Sequence, residues 1–331
     1  MKYVFGPVPS RRLGQSLGID PIPLKTCNWN CVYCQLGRTR PLVNERKEFF
    51  PADEILSEVK QALEAHQPDG IDWVTFVGSG ETTLYSRLGY LIRQVKQMTP
   101  LPVAVITNGS LLYQPEVRQE LAAADAVLPT LDAGNAEVYR KINRPHPDIT
   151  YDRIQQGLIS FREEYRGKLW IEVMLVQGLN DTEEALQEIE QVLIQIQPDE
   201  VHILQPTRLP VEPWVKPPSE EGLLRARAIL GKTANVIAPA SGSFDLSGNE
   251  NLVDSIVGII TRHPMRESEL IEALTRWSPA DVKGTLKALE ESGRAQIVTR
   301  YGVHFWSAAP ARYPVNGQNE TVNSIESSTE S

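Results

Sequence analysis

Strand-like and helix-like stretches alternate over the first three quarters of the chain, and this alternation constrains the fold most. Short apolar runs at 16–20, 71–77, 103–107, 126–131, 169–176 and 201–204 read as strands. Between and after them, 51–66, 82–98, 115–124, 151–165, 181–197 and 220–230 carry apolar residues at helical spacing. Ile55, Leu56, Val59 and Leu63 form one such stripe, and Leu84, Leu88, Leu91, Ile92 and Val95 another. A cap for the helix at 181–197 is expected near Asn180. Strands alternating with helices imply βαβ units and a parallel sheet. Six units fall short of the eight that close a TIM barrel, so the expected fold is α/β, a partial (β/α)6 TIM-like barrel. The glycine-bearing and polar turns follow the strands, at the end where parallel α/β folds carry ligands.

The pattern changes after an Ala-, Ser- and Gly-rich stretch at 235–248, read as a linker. Helical patterns at 250–262, 267–274 and 280–292 precede two strand-like runs, 295–299 and 303–306, joined by Arg300-Tyr301-Gly302. Pro279 suits a first helical turn and Gly293 a helix end. Three helices and a hairpin predict a C-terminal winged helix-turn-helix. The expected organisation is a barrel domain at 1–240, a winged-helix domain at 241–312 and a disordered Ser-, Asn- and Glu-rich tail at 313–331.

The chain has 331 residues and only three cysteines, which excludes a disulfide framework. No apolar run is long enough to span a bilayer, and no membrane partner is expected. The start of the sequence has no apolar signal core. The expected setting is the reducing cytoplasm, where clustered cysteines point to metal or catalysis. The formal charge of −9 argues against a generally cationic nucleic-acid binder. Residues 1–47 nevertheless carry eight basic residues against Asp20 and Glu45. This basic stretch also holds the cysteines, as would the mouth of a site that attracts an anion.

Lys25 to Gln35 reads K-T-C-N-W-N-C-V-Y-C-Q, placing Cys27, Cys31 and Cys34 on one tight loop. Three thiolates can hold three corners of a cubane iron–sulfur cluster and leave the fourth iron open. The alternative is structural zinc, which wants four ligands and would have to recruit a distant histidine such as His66 or His146.

The C-x3-C-x2-C spacing, with Tyr33 before the last cysteine, resembles the signature of the radical S-adenosylmethionine (SAM) superfamily. Gly78-Ser79-Gly80-Glu81 after the second strand resembles the family's G-G-E motif, which meets the methionine amino group. Ser79 stands where the motif has glycine. Thr107-Asn108-Gly109 ends the third strand and Thr130-Leu131-Asp132 the fourth, positions that the resemblance assigns to the methionine carboxylate and ribose. The resemblance covers roughly residues 1–240 and implies the same partial barrel. A narrower resemblance rests on Phe5 to Gly18, F-G-P-V-P-S-R-R-L-G-Q-S-L-G, and Lys141 to Pro147, K-I-N-R-P-H-P. Both look like a branch grouped with the tRNA wyosine-base synthases. Those synthases carry a second cluster with its own cysteines. Here the first cluster uses all three, so wyosine synthesis itself is not expected.

The resemblance implies a [4Fe-4S] cluster and S-adenosyl-L-methionine as cofactors, and a one-electron donor such as flavodoxin or ferredoxin as partner. It implies reductive cleavage of SAM to a 5′-deoxyadenosyl radical that takes a hydrogen atom from the substrate. Cys27, Cys31 and Cys34 are the expected cluster ligands. Tyr33, Gly78, Ser79, Gly80, Glu81, Thr107, Asn108 and Asp132 are the expected SAM contacts. Arg11, Arg12 and Arg144 are candidates for an anionic substrate group, His146 for acid–base work, and Gln205 and Arg208 for cavity contacts. Glu172 is expected in the barrel or at its rim, and Trp29 and Trp214 over the cluster or substrate. The substrate class stays open between a small anionic molecule, an RNA base, and a peptide held by the winged helix. The alternative to an enzyme is a metal-sensing DNA-binding regulator. For nucleic acid, the predicted recognition helix offers mixed charges and the wing only Arg294 and Arg300.

Overall fold

The structure is a computed structural model and describes residues 1–66, 70–238 and 251–314. One sheet holds eight strands in sequence order: β1 (Val4–Ser10), β2 (Gly14–Ile19), β3 (Trp73–Phe76), β4 (Val103–Thr107), β5 (Ala126–Pro129), β6 (Lys168–Met174), β7 (Glu200–Leu204) and β8 (Ala234–Val236). β1 and β2 form an antiparallel hairpin, and every later neighbour pairs in parallel. The helices α1 (Ala52–Ala65), α2 (Leu88–Met98), α3 (Pro115–Leu121), α4 (Ala136–Asn143), α5 (Tyr151–Glu164), α6 (Glu183–Ile196) and α7 (Glu220–Ile229) fill the crossovers. Among the described residues β1 and β8 do not pair, so the sheet stays open, as in a partial TIM-like barrel.

The two faces of the strands bury different partners. Val103, Val105, Val127 and Leu169 pack with the helices in the main core. Ala104, Ala126, Leu128 and Trp170 face the other way, where Leu13 from the β1–β2 turn packs among them. This alternation is the period-2 geometry of a strand. Trp170 and Trp73 close the inner face, with ring centroids 5.9 Å apart.

All six expected strands are present in the expected order. Two further strands lie outside that reading. β1 contains Pro7 and Pro9, which argue against a central strand; it is an edge strand, where proline is tolerated. β8 falls inside the expected linker, the rest of which lies largely outside the described residues. The helix expected at 82–98 is interrupted. A 3-10 turn, Thr82–Leu84, is capped by Glu81, and α2 starts only at Leu88. The reason is competition: Lys47 N–H donates to Leu84 O and Ser86 N–H to Lys47 O, drawing this backbone into a neighbouring loop. α4 was not expected, although Asn135 supplies a cap by accepting from Val138 N–H. The cap of α6 is Thr182 rather than Asn180. Asn180 instead ties the ends of β5 and β6, donating to Asp132 O and Met174 O.

Beyond residue 250, α8 (Leu252–Arg262), α9 (Glu267–Ala273) and α10 (Pro279–Glu291) pack with the hairpin β9 (Ala295–Arg300) and β10 (Val303–Ala308). They bury their own core of Ile256, Ile260, Leu270, Val282, Leu286 and Trp306. This C-terminal unit lies against the barrel. Arg262 pairs with Asp20 at 3.2 Å. Arg300 donates to the carbonyls of Pro210 and Val211. Tyr313 Oη donates to Gln35 O at 2.5 Å, so the start of the expected tail is anchored; residues 315–331 lie outside the described residues.

Candidate functional site

The cysteine loop leaves β2 and crosses the C-terminal ends of the strands. Lys25 takes a left-handed conformation, φ 61°, and its N–H donates to Ser79 O at 2.6 Å. Glu81 N–H donates to Thr26 O at 2.9 Å. The loop is thereby stitched to the turn after β3. Gly80 makes that approach possible: a Cβ there would lie 1.8 Å from Thr26 O. At Gly78 the same test gives 3.4 Å to the nearest atoms, an ordinary contact. Ser79, in the glycine place of the motif, is held by Asp20, which accepts from its N–H at 3.0 Å and its hydroxyl at 2.6 Å.

Cys27, Cys31 and Cys34 border a cavity of about 400 Å³ between the strand ends and the C-terminal unit. Each sulfur has an N–H donor. Trp29 N–H lies 3.4 Å from Cys27 Sγ, Asn143 Nδ2 3.7 Å from Cys31 Sγ, and Lys25 Nζ 3.2 Å from Cys34 Sγ. Burial pushes the Cys27 thiol up to about 12 and the Cys31 thiol well above its ordinary value. Left alone these groups stay neutral, whereas a bound metal deprotonates a coordinating thiol outright. Among the described residues no three His, Cys, Asp or Glu side chains converge where a single ion could sit. Three sulfurs spread along one cavity wall and supplied with N–H donors suit a multi-iron cluster better than a four-ligand zinc ion.

The expected contacts divide into those that line the cavity and those behind its wall. Tyr33, Gly78, Ser79, Gly80, Arg11, Arg12, Glu172, Gln205 and Arg208 line it with the cysteines. Glu81, Thr107, Asn108 and Asp132 do not. Glu81 is buried and accepts from the hydroxyls of Thr83 and Thr107 and the N–H of Thr83 and Asn108. Its carboxylate therefore fastens β3 to β4. Burial raises its pKa, against those hydrogen bonds. Asp132 accepts from Tyr33 Oη at 2.5 Å, Asn143 Nδ2 at 2.7 Å and Met174 N–H at 2.8 Å. Burial raises it to about 6 despite those donors. Asn108 bridges to the loop, with Nδ2 2.9 Å from Asn28 Oδ1 and 3.8 Å from Cys27 Sγ.

Arg144 and His146, candidates for anion binding and acid–base work, lie outside the cavity lining. α4 ends at Asn143, and Arg144 turns left-handed, φ 45°, to pair with Glu212. Both Arg144 and His146 border a separate groove on the other side of the cysteine loop. Trp214 is 47% exposed and does not line the cavity, whereas Trp29 does. Arg300 of the expected wing is buried against barrel carbonyls and is not available to phosphate.

Charge in the cavity is lopsided. Partly buried Arg12 pairs with buried Glu172, the one lining carboxylate among the described residues. Arg11 Nη2 donates to Thr207 at 2.7 Å. Arg208 donates to the neutral partners Gln35 and His263. Burial, then Arg11, lowers Arg208 to about 10. His263, from the C-terminal unit, is held well below its ordinary pKa by burial and then by Arg208, Arg262 and Arg11. Asp20, Lys25, Asn28, Asn143 and His263 were not anticipated. Asp20 sits at a strand's C-terminal end and was findable by that rule. His263 comes from so far along the chain that no local pattern marks it.

Residues 22–190 match the family model of the radical SAM superfamily. The chain belongs to the radical SAM superfamily. A UPF0026 protein of Methanocaldococcus jannaschii is 36% identical over 280 residues, 83% of this radical SAM chain and 87% of that protein. A Brachyspira hyodysenteriae protein named GTPase Obg is 39% identical over 298 residues, 89% of this chain; the chain spans only 43% of that relative. A radical SAM methyltransferase from Sphaerobacter thermophilus shares the fold, with a TM-score of 0.51 and 19% identity over 67% of this chain and 66% of that one. Radical SAM enzymes use a [4Fe-4S] cluster with SAM and draw on an electron donor, so this chain is an iron–sulfur enzyme. Among the described residues no helix is long and apolar enough to cross a membrane.

Proposed function

We propose that this enzyme abstracts a hydrogen atom from a small anionic substrate enclosed between the barrel mouth and the C-terminal unit. The observation that carries this is the charge of the cavity: Arg11, Arg12 and Arg208 line it beside the cysteines, with Glu172 as the only lining carboxylate among the described residues. A carboxylate or phosphate would meet guanidinium forks already in place. In this reading Cys27, Cys31 and Cys34 hold the cluster, and the wall at Gly78 to Gly80, with Tyr33 and Asn108 near the sulfurs, receives SAM. When bound, these cofactors supply a hydrogen-abstracting 5′-deoxyadenosyl radical. The protein's own work is to place the substrate, exclude water and hold its polar walls fixed. Asp132 fixes Tyr33, and Glu81 fixes the ends of β3 and β4.

We read the C-terminal unit as a winged helix that serves as a lid. Its Arg300 is spent on the barrel, and Lys283 and Lys287 of α10 are paired with Glu267 and Glu291. A DNA reader needs such cations free for phosphate. The cavity is near the small end of the ~300–1,000 Å³ usual for ligand sites. SAM would share that volume, which favours a small second substrate over a peptide or RNA.

The test is a panel of small carboxylates and phosphates offered to the reconstituted enzyme with dithionite. At least one should accelerate 5′-deoxyadenosine release, and Arg11→Ala and Arg208→Ala should each raise its half-saturating concentration about tenfold or more. Acceleration only by neutral compounds, or by a peptide or RNA alone, would overturn the small-anion reading.

A further inference from the structure

Within the K-I-N-R-P-H-P stretch, Asn143 supports the cysteine loop, but Arg144 to Pro147 do not line the cavity. These four residues form one wall of a second hollow, about 730 Å³, on the opposite side of the cysteine loop. The wall is fastened to that loop through the backbone. Asn30 N–H donates to Asn143 O and Arg144 O, Val32 N–H to Ile142 O, and His146 N–H to Asn28 O. Trp29 and Pro145 pair as an isolated bridge. The groove floor includes Asn30, the residue covalently preceding Cys31. Asn143, next to Arg144, reaches Cys31 Sγ at 3.7 Å. At this groove the cysteine loop presents half-buried Asn30, whereas its sulfurs face the cavity, which meets the C-terminal unit at His263.

The groove is basic on an acidic protein. Arg40, Arg140 and Arg144 line it, with Asp152 as the lining carboxylate, while the whole chain carries −9. Arg40 and Arg140 are exposed. Arg144 is partly neutralised by Glu212, which is buried behind it. A local basic patch on a protein of opposite net charge steers acidic partners to one place.

We propose that this groove is the docking site of an acidic one-electron carrier protein, which delivers its electron through the cysteine loop. The inference rests on the cluster assignment above. In the step, the reduced carrier would give up one electron to the cluster that Cys27, Cys31 and Cys34 would hold; no atom or proton moves. The pairing is electrostatic and short-lived, as electron-transfer encounters are, which suits a small rim of arginines rather than a broad apolar face.

The test uses the full chain and an acidic flavodoxin, comparing wild type with the double variant Arg40→Glu/Arg140→Glu. Flavodoxin binding, followed by calorimetry, should weaken about tenfold or more in the variant. The wild-type affinity should fall steeply with added salt and the variant's should not. Flavodoxin-supported 5′-deoxyadenosine formation should fall in parallel, while the dithionite-supported rate stays within about twofold. Unchanged flavodoxin affinity in the variant overturns the docking site. An equal loss with both reductants also overturns it, since it places the arginines in structure rather than docking. A wild-type protein that binds flavodoxin at the groove but makes no 5′-deoxyadenosine with dithionite would refute the cluster assignment, not the docking surface.

Discussion

Glycine 80 and glycine 78 stand two residues apart in one motif, yet they do different work. A Cβ at Gly80 would collide with the Thr26 carbonyl of the cysteine loop, whereas one at Gly78 would meet only ordinary contacts. Gly80→Ala should therefore cost roughly 3 kcal/mol or more and lower iron retention, and Gly78→Ala under about 1 kcal/mol. Denaturant titration of the two variants under anaerobic conditions reads the difference, and equal losses would contradict the close approach. Glu172 makes a second case at this scale. Glu172→Gln would leave the partly buried Arg12 without its carboxylate partner, and losing one half of such a pair costs up to about 3 kcal/mol. A substrate-like anion should restore part of that loss, which a thermal shift would report. The sequence already marked the cysteines, Tyr33 and Gly78 to Gly80, because short motifs keep their spacing. It could not show that Glu81 and Asp132 turn into the wall, since that depends on which neighbours saturate their oxygens.

At the scale of elements, the parallel strands were legible because each is a short apolar run between turn signals. The exceptions each have a local cause. Proline disguised β1, a competing loop broke the helix before α2, and α4 is too short to show a period. The seam between α8 and the barrel was not legible, because it joins residues such as Asp20 and Arg262 that are far apart in sequence. That seam makes a pH prediction. His263 is buried beside Arg208, Arg262 and Arg11, all of which oppose a further positive charge. Its folded pKa is depressed below the unfolded value. The seam's stability is thus fully present above about pH 6.5 and declines as pH falls below it, by up to about 1.4 kcal/mol per unit. Hydrogen exchange in α8 should rise on acidification from pH 7.5 to 5.5, and His263→Gln should flatten the response. An α8 whose protection ignores pH, or responds identically in the variant, would contradict this account.

For the molecule as a whole, two cationic sites sit on either side of one cysteine loop. The inner one meets the C-terminal unit at His263 and carries Arg11, Arg12 and Arg208; the outer one carries Arg40 and Arg140. Under the two proposals above, substrate would bind on the cavity side of the loop and the electron carrier on the groove side. It also explains why a net charge of −9 says little about either site. The central claim is that the three cysteines carry a cluster that cleaves SAM. Its most direct measurement is anaerobic reconstitution with iron and sulfide, followed by dithionite and SAM. The account predicts about four irons per chain and dithionite-dependent 5′-deoxyadenosine, both lost in Cys27→Ala, Cys31→Ala and Cys34→Ala. One stoichiometric zinc, with SAM left intact, would contradict it.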